Sequence, residues 1–208
     1  MRAVEEGLAW FASATAFAIS MSGSPGPNNT MVTASGATWG FRRTIPHMLG
    51  IAIGLPAMLL ALALGVGEVL QAAPWLHKAM RWAGAAYMLW LAWKIATADP
   101  DPAGAAGSAA SRPLSFFQAA LFQWVNPKAW VVALGAIAAY TTATGLELIG
   151  QTALLGAIFL VVTLPVVAGW TLVGVGAARL LRTRRALRLF NLAMAALLVA
   201  SLLPMLRQ

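Results

Sequence analysis

Two short stretches carry residues whose types and spacing suit them to hold a small polar solute inside an apolar protein. The first is Ser24-Pro25-Gly26-Pro27-Asn28-Asn29 and the second is Asn126-Pro127-Lys128. Prolines remove backbone donors and obstruct the preceding helical turn, and Gly26 relaxes the chain between two of them. Such a break frees carbonyls and amides that lipid cannot satisfy, so they must face protein or a wet cavity. A helix that starts after Pro27 or Asn28 presents unpaired amides and the positive end of its dipole, a natural seat for a carboxylate. Asn28, Asn29 and Asn126 add side-chain amides that accept from an ammonium or donate to a carboxylate. Lys128 is the one charged residue beside either break, and an ionisable group at membrane depth is a functional candidate by default. The candidate site is therefore Pro25, Gly26, Pro27, Asn28, Asn29, Asn126, Pro127 and Lys128. Its chemistry is recognition of a zwitterion rather than bond-making.

Each feature has a plainer reading. One proline break alone is equally a simple kink or a tight loop at the membrane edge, and Lys128 is equally an interfacial lysine that snorkels to headgroups. The second break, in a corresponding place, argues against the kink. Trp82, Tyr87, Trp90 and Trp93 read as interfacial or packing residues, and Gly50, Gly54 and Gly84 as points of close helix packing. Asn191 reads as an interhelical hydrogen-bonding group. No nucleophile and base stand in a catalytic arrangement. The 2 histidines, His47 and His77, sit at helix starts on opposite sides and give no metal-ligand spacing. There are 0 cysteines, which excludes disulfides and thiol chemistry. Neither a metal nor a cofactor is expected, and the chain does not read as an enzyme.

The elements that must position these residues are membrane helices. Hydrophobic residues make up 60% of the 208 and charged ones 10%, more apolar surface than a soluble fold of this size hides. The net charge of +8 fits basic loops between apolar runs better than a nucleic-acid surface. The start carries Glu5 and Glu6 beside Arg2, unlike a signal peptide, and reads as a retained helix. Apolar runs cover residues 8–21, broken at 24–29 and continued by a weaker segment at 30–39, then 46–66 and 75–96. A linker rich in Ala, Gly, Ser, Asp and Pro follows. The pattern restarts at 114–125, is broken at 126–128 and resumes at 129–140, then 148–175 and 189–206. Each half thus has a proline-broken first span, a second span with a proline (Pro56, Pro165) and a third opened by an arginine (Arg81, Arg188). Three spans per half make the halves cross in opposite senses, the pattern of an inverted repeat. The expected fold is an all-α membrane protein of six transmembrane helices in two inverted three-helix repeats, the first helix of each broken at Pro. It forms one transport domain, residues 1–208, with repeats at 1–97 and 114–208 and a linker at 98–113. Arg42, Arg43, Lys94, Arg112 and the cluster from Arg179 to Arg188 mark the cytoplasmic loops, with both termini outside.

The chain resembles the LysE/RhtB family of amino acid exporters at the first break, at Ser35-Gly36-Ala37-Thr38-Trp39-Gly40-Phe41-Arg42-Arg43, at Asn126-Pro127-Lys128 and along the third span from Ala83 to Ala96. The doubled asparagine and Trp90-Leu91-Ala92-Trp93-Lys94 look most like its cysteine/O-acetylserine branch. The resemblance implies efflux of amino acids across the bacterial cytoplasmic (inner) membrane, driven by a proton or ion gradient. It leaves a homo-oligomer open. Basic-amino-acid exporters of the family carry an acid in the second span, and residues 46–66 have none. None of the 6 acidic residues is well placed to pair with a cationic side chain. The expected cargo is a small neutral amino acid or derivative: cysteine, O-acetylserine, serine, threonine or homoserine. The alternative is a membrane scaffold or a channel without coupled transport. Paired breaks favour the transporter over a scaffold.

Overall fold

Large apolar side chains cover the outside of the molecule as well as filling its core, and several polar ones are buried. Trp75, Leu146 and Leu180 are more than 70% exposed, and every α-helix turns large aliphatic or aromatic side chains outward. Asn29, His47, Gln123, Asn126, Thr152 and Thr171 are buried at 3% exposure or less. Lipid solvates the first set, and the second must find partners inside. The computed structural model describes residues 2–66, 68, 72–98, 112–142, 144–181 and 183–203.

Among these residues the chain forms seven α-helices: α1 (Arg2–Gly23), α2 (Pro27–Ala61), α3 (Pro74–Thr97), α4 (Phe116–Val125), α5 (Pro127–Tyr140), α6 (Gly145–Leu180) and α7 (Arg184–Ala200). A π-helical turn, Leu62–Val66, extends α2. Helices α2 and α6 are long and apolar enough to cross a membrane by length and composition. The start signals are legible. Pro27, Pro74 and Pro127 occupy first-turn positions where a missing N–H costs nothing, and Ser115 with Gln118 closes a capping box on α4.

One expectation is corrected here. The segment 30–39 and the span 46–66 are not separated by a loop holding Arg42 and Arg43; both belong to α2. Gly40 inside it has φ 77° and ψ 171°, a conformation open to glycine and to few other residues. Ser35 Oγ shares a 3.2 Å hydrogen bond with His47 Nδ1. In a straight helix twelve residues would separate them by about 18 Å. The chain therefore folds back at Gly40, and a single residue does the work of the expected loop. The other ends differ by a few residues from the apolar runs. Most of the linker, 99–111, lies outside the described residues, as does the end of the last run.

The buried apolar side chains form three clusters. Ala14 and Ala18 of α1, Leu55 and Met58 of α2, Ala133 of α5 and Phe159 of α6 share one buried cluster. Met31 near the start of α2, Met88 of α3, Phe122 of α4 and Leu198 of α7 share another. A third joins Val32, Met48 and Ile51 of α2 to Ala119 of α4 and Val167 of α6. Within lipid, helices associate by close packing rather than by expelling water. A side chain at Gly36 would strike the Thr171 carbonyl, one at Gly174 the Thr33 carbonyl and one at Gly84 the Val125 carbonyl. These contacts draw α2 onto α6 and α3 onto the end of α4.

Candidate solute site at the two helix breaks

The first break spans Ser24, Pro25 and Gly26. Two of its carbonyls are met from the other half of the chain. Lys128 Nζ donates to Ser24 O at 2.8 Å, to Ser24 Oγ at 2.8 Å and to Pro25 O at 3.4 Å. The three donors of the ammonium are thereby all engaged. Asn29 Nδ2 adds bonds to Ser22 O at 2.7 Å and Ser24 O at 2.9 Å. The lysine passes close over Gly26, where a Cβ would lie 2.8 Å from Lys128 Cδ.

The second break is a single residue. Asn126 ends α4 and caps α5, its Oδ1 accepting from the Lys128 backbone N–H at 3.1 Å. Its carbonyl accepts from Ala129 N at 3.0 Å and Trp130 N at 3.3 Å. Across the gap, Asn28 Nδ2 donates to Gln123 Oε1 at 2.9 Å and Gln123 Nε2 donates back to Asn28 Oδ1 at 3.2 Å. Gln123 Nε2 also donates to Ala119 O at 2.9 Å. Ser22 and Thr163 hydroxyls share a 3.0 Å bond on the far wall.

These groups enclose a chamber of about 40 Å³ whose polar lining is Ser22, Asn28, Asn29, Gln123, Asn126, Lys128 and Thr163. Such a volume admits a few ordered waters at about 10–15 Å³ each, which the polar walls can bond. No acidic side chain lines it. The arrangement offers amide donors and acceptors, hydroxyls and one ammonium, a set for binding a neutral or anionic polar group.

The family pattern of LysE-type translocators matches residues 19–203, a stretch that holds both breaks and every residue of the chamber. The chain belongs to the LysE-type translocator family. Its similar proteins include the cysteine/O-acetylserine efflux proteins of Escherichia coli strain K12, Escherichia coli O1:K1 and Shigella flexneri serotype 5b. Each is 36% identical over 105 residues, which is 50% of this chain and 51% of the relative. The match thus spans about half the length of these curated relatives. No solved structure matches the chain.

In this LysE-type translocator all eight residues singled out in the sequence gather at the junction, but they divide between two cavities. Gly26, Asn28, Asn29, Asn126 and Lys128 line the chamber, whereas Pro25, Pro27 and Pro127 line a larger neighbouring cavity that Gly26 and Lys128 also border. The first break is also shorter than the motif, because Pro27 starts α2 and puts Asn28 and Asn29 in its first turn. Asn191 is buried in α7 and lines neither cavity. His47 is buried beside Ser35, and its Nε2 has no hydrogen-bond partner among the described residues. The sequence reading passed over Gln123, Ser22 and Thr163. Gln123 had a signal, an amide inside an apolar run three residues before Asn126. Ser22 and Thr163 had none, because single hydroxyls are common in membrane helices.

Proposed function

We propose that this protein is a secondary transporter that exports small neutral amino acids or their derivatives across the bacterial cytoplasmic membrane. The observation that carries the reading is the Lys128 ammonium bound to the carbonyls of the opposite break, inside an apolar bundle whose central chamber has no acidic wall. A solute carboxylate can compete for that ammonium, and the amide and hydroxyl groups of Asn28, Asn29, Gln123 and Asn126 suit an ammonium or a small polar side chain. A cationic side chain would find no buried anion, and leaving it unpaired would be costly. The names of the relatives favour cysteine and O-acetylserine within the neutral class.

The six-span inverted repeat belongs to this proposal. With α2 counted as two arms on either side of Gly40, each half runs helix, break, helix, longer helix, helix, with Pro27 and Pro127 at equivalent helix starts. Trp10 Nε1 donates to Tyr140 O at 3.1 Å, which sets the start of α1 beside the end of α5 and fits halves of opposite sense. Basic residues then mark the Gly40 end as cytoplasmic. The absence of cysteine makes the topology simple to test. Single cysteines at Ala105 and Gln208 should label from opposite faces of the membrane; labelling of both from one face contradicts six spans. Export is tested by overexpression in loaded cells, which should speed release of a neutral amino acid in a manner that saturates and stops when the proton or ion gradient is collapsed. Unsaturable release would instead mark a channel, and no release a scaffold.

A further inference from the structure

His47 is a titratable side chain shut inside the bundle with half of its hydrogen bonding unmet. It is 1% exposed. Nδ1 shares the 3.2 Å bond with Ser35 Oγ, and Nε2 has no hydrogen-bond partner among the described residues. Buried polar groups are paired as a rule, so one left bare asks for a reason. An ionisable group at membrane depth is a functional candidate, and imidazole is the side chain that gains and loses a proton near neutral pH.

The ring lies where the two arms of α2 meet. Ser35 is on the arm before Gly40 and His47 on the arm after it, so their bond ties one arm to the other. Beside it, Val32 of the first arm packs with Met48 and Ile51 of the second. Ile51 lines the chamber and follows His47 by one turn, about 6 Å along the helix. Gly40 lies about 10 Å in the other direction. The ring thus stands between the chamber and the Gly40 end. At about 40 Å³ the chamber holds water and no amino acid, so this arrangement is a closed one. Helices α4, α5, α6 and α7 pack against α2. Helix α4 has no titratable side chain, and Arg112 before it is exposed. Glu147 and Arg179 lie exposed near the ends of α6, and Arg42, Arg43 of α2 and Arg184, Arg185, Arg188 of α7 are exposed too. On α5, Lys128 is held at the first break and Tyr140 stands at the far end.

We infer that His47 is a proton-binding site, and that a proton bound there opens the Gly40 side of the chamber. This rests on the transport reading above. With its hydrogen on Nδ1 the neutral ring donates to Ser35 Oγ and leaves Nε2 a bare lone pair. A proton taken onto that lone pair makes an imidazolium whose new N–H has no acceptor and whose charge has no partner. Both are costly in an apolar cluster, so the charged ring is stable only where water reaches it. Water reaches it when the two arms part, and Gly40 is a one-residue hinge on which they can turn. Parted arms admit a solute from the Gly40 side, and loss of the proton to that side lets them close again. A proton that arrives through the chamber and leaves on the Gly40 side moves opposite to an exported solute.

The test uses the chain's lack of cysteine. Val32→Cys puts a single thiol between the arms. Its alkylation by a water-soluble maleimide in proteoliposomes, divided by the reagent's rate with glutathione at the same pH, reports whether the arms part. From about pH 8 down to about pH 5.5 the ratio should rise about tenfold, and adding His47→Asn, which keeps an amide near Ser35 and cannot titrate, should flatten it. A flat ratio with His47 present, or the same rise with His47→Asn, overturns the site. Ser35→Ala covers the case that His47→Asn fails to insert. It removes the bond that holds the neutral ring, so the rise should begin at a higher pH, and an unmoved midpoint overturns the site. An entrapped pH dye separates this inference from the transport reading. Release of O-acetylserine without proton movement, or with proton movement unchanged in His47→Asn, overturns the proton site and leaves the transport reading. The expected labelling response in a protein that moves no amino acid keeps the proton site and overturns the transport reading.

Discussion

The two breaks do the same job by different means. At Asn126 the chain repairs itself: the side chain caps the next helix, and the carbonyl is taken by the turn that follows. At Ser24 to Gly26 the local bonds are Ser24 N to Ser20 O, Ser24 Oγ to Met21 O, Asn29 Nδ2 to Ser22 O and Ser24 O, and Thr30 N to Gly26 O. The rest comes from Lys128, 104 residues away in sequence. A self-capped break is stable whatever its surroundings. A break held by a distant ammonium is stable only while that ammonium stays, so it can respond to anything that competes for it. The second break is thus the fixed side of the site and the first is the side that can change.

The largest effect should come from removing the tether. Lys128→Ala takes two hydrogen bonds from Ser24, at its carbonyl and at its hydroxyl, and a longer one from the exposed Pro25 carbonyl, a loss of about 2 kcal/mol. Membrane insertion should persist, a thermal melt in detergent should shift down, and transport should fall about a hundredfold. Normal rate and affinity would reduce Lys128 to an interfacial anchor. Gly26→Ala should act less strongly. Its backbone is extended, with φ 176°, and tolerates a side chain, but the new Cβ would sit 2.8 Å from Lys128 Cδ and displace the lysine's flexible end. About tenfold slower transport with a nearly normal melt is expected, and equal loss of both would put the effect in folding instead. Asn126→Ala should be mildest for transport. It removes one helix cap, about 1 kcal/mol of stability, and Asn126→Asp or Asn126→Ser should restore it. If Asn126→Ala stops transport while the melt is unchanged, the asymmetry between the breaks is wrong.

Sequence reading reached the breaks because proline and glycine act locally and leave a local mark. Pro27 and Pro127 could be placed at helix starts from their type alone, and the close packing expected of Gly50, Gly54 and Gly84 is present against Phe116, Ala120 and Val125. The Gly40 turn was not legible. A reversal made by one residue has none of the polar composition by which loops are recognised, so Arg42 and Arg43 drew a loop that is not there. Nor was the partner of Lys128 legible: a charge beside a break invites a ligand, and nothing in its spacing points to Ser24 across the linker. Gln123 shows the same limit. Its side chain is fully buried and paired with Asn28, yet in sequence it is one amide in an apolar run.

The proposed carriage of a neutral amino acid by its carboxylate, at two breaks joined through Lys128, is open to direct test. The most direct measurement is competition in proteoliposomes under a controlled pH gradient, with labelled O-acetylserine as the reporter. Unlabelled cysteine, O-acetylserine, serine, threonine, homoserine, lysine and arginine serve as competitors, and Lys128→Ala runs in parallel. The expected result is saturable flux that neutral amino acids inhibit, that lysine and arginine do not, and that Lys128→Ala abolishes. Selective movement of lysine or arginine, or undiminished flux in Lys128→Ala, would contradict it.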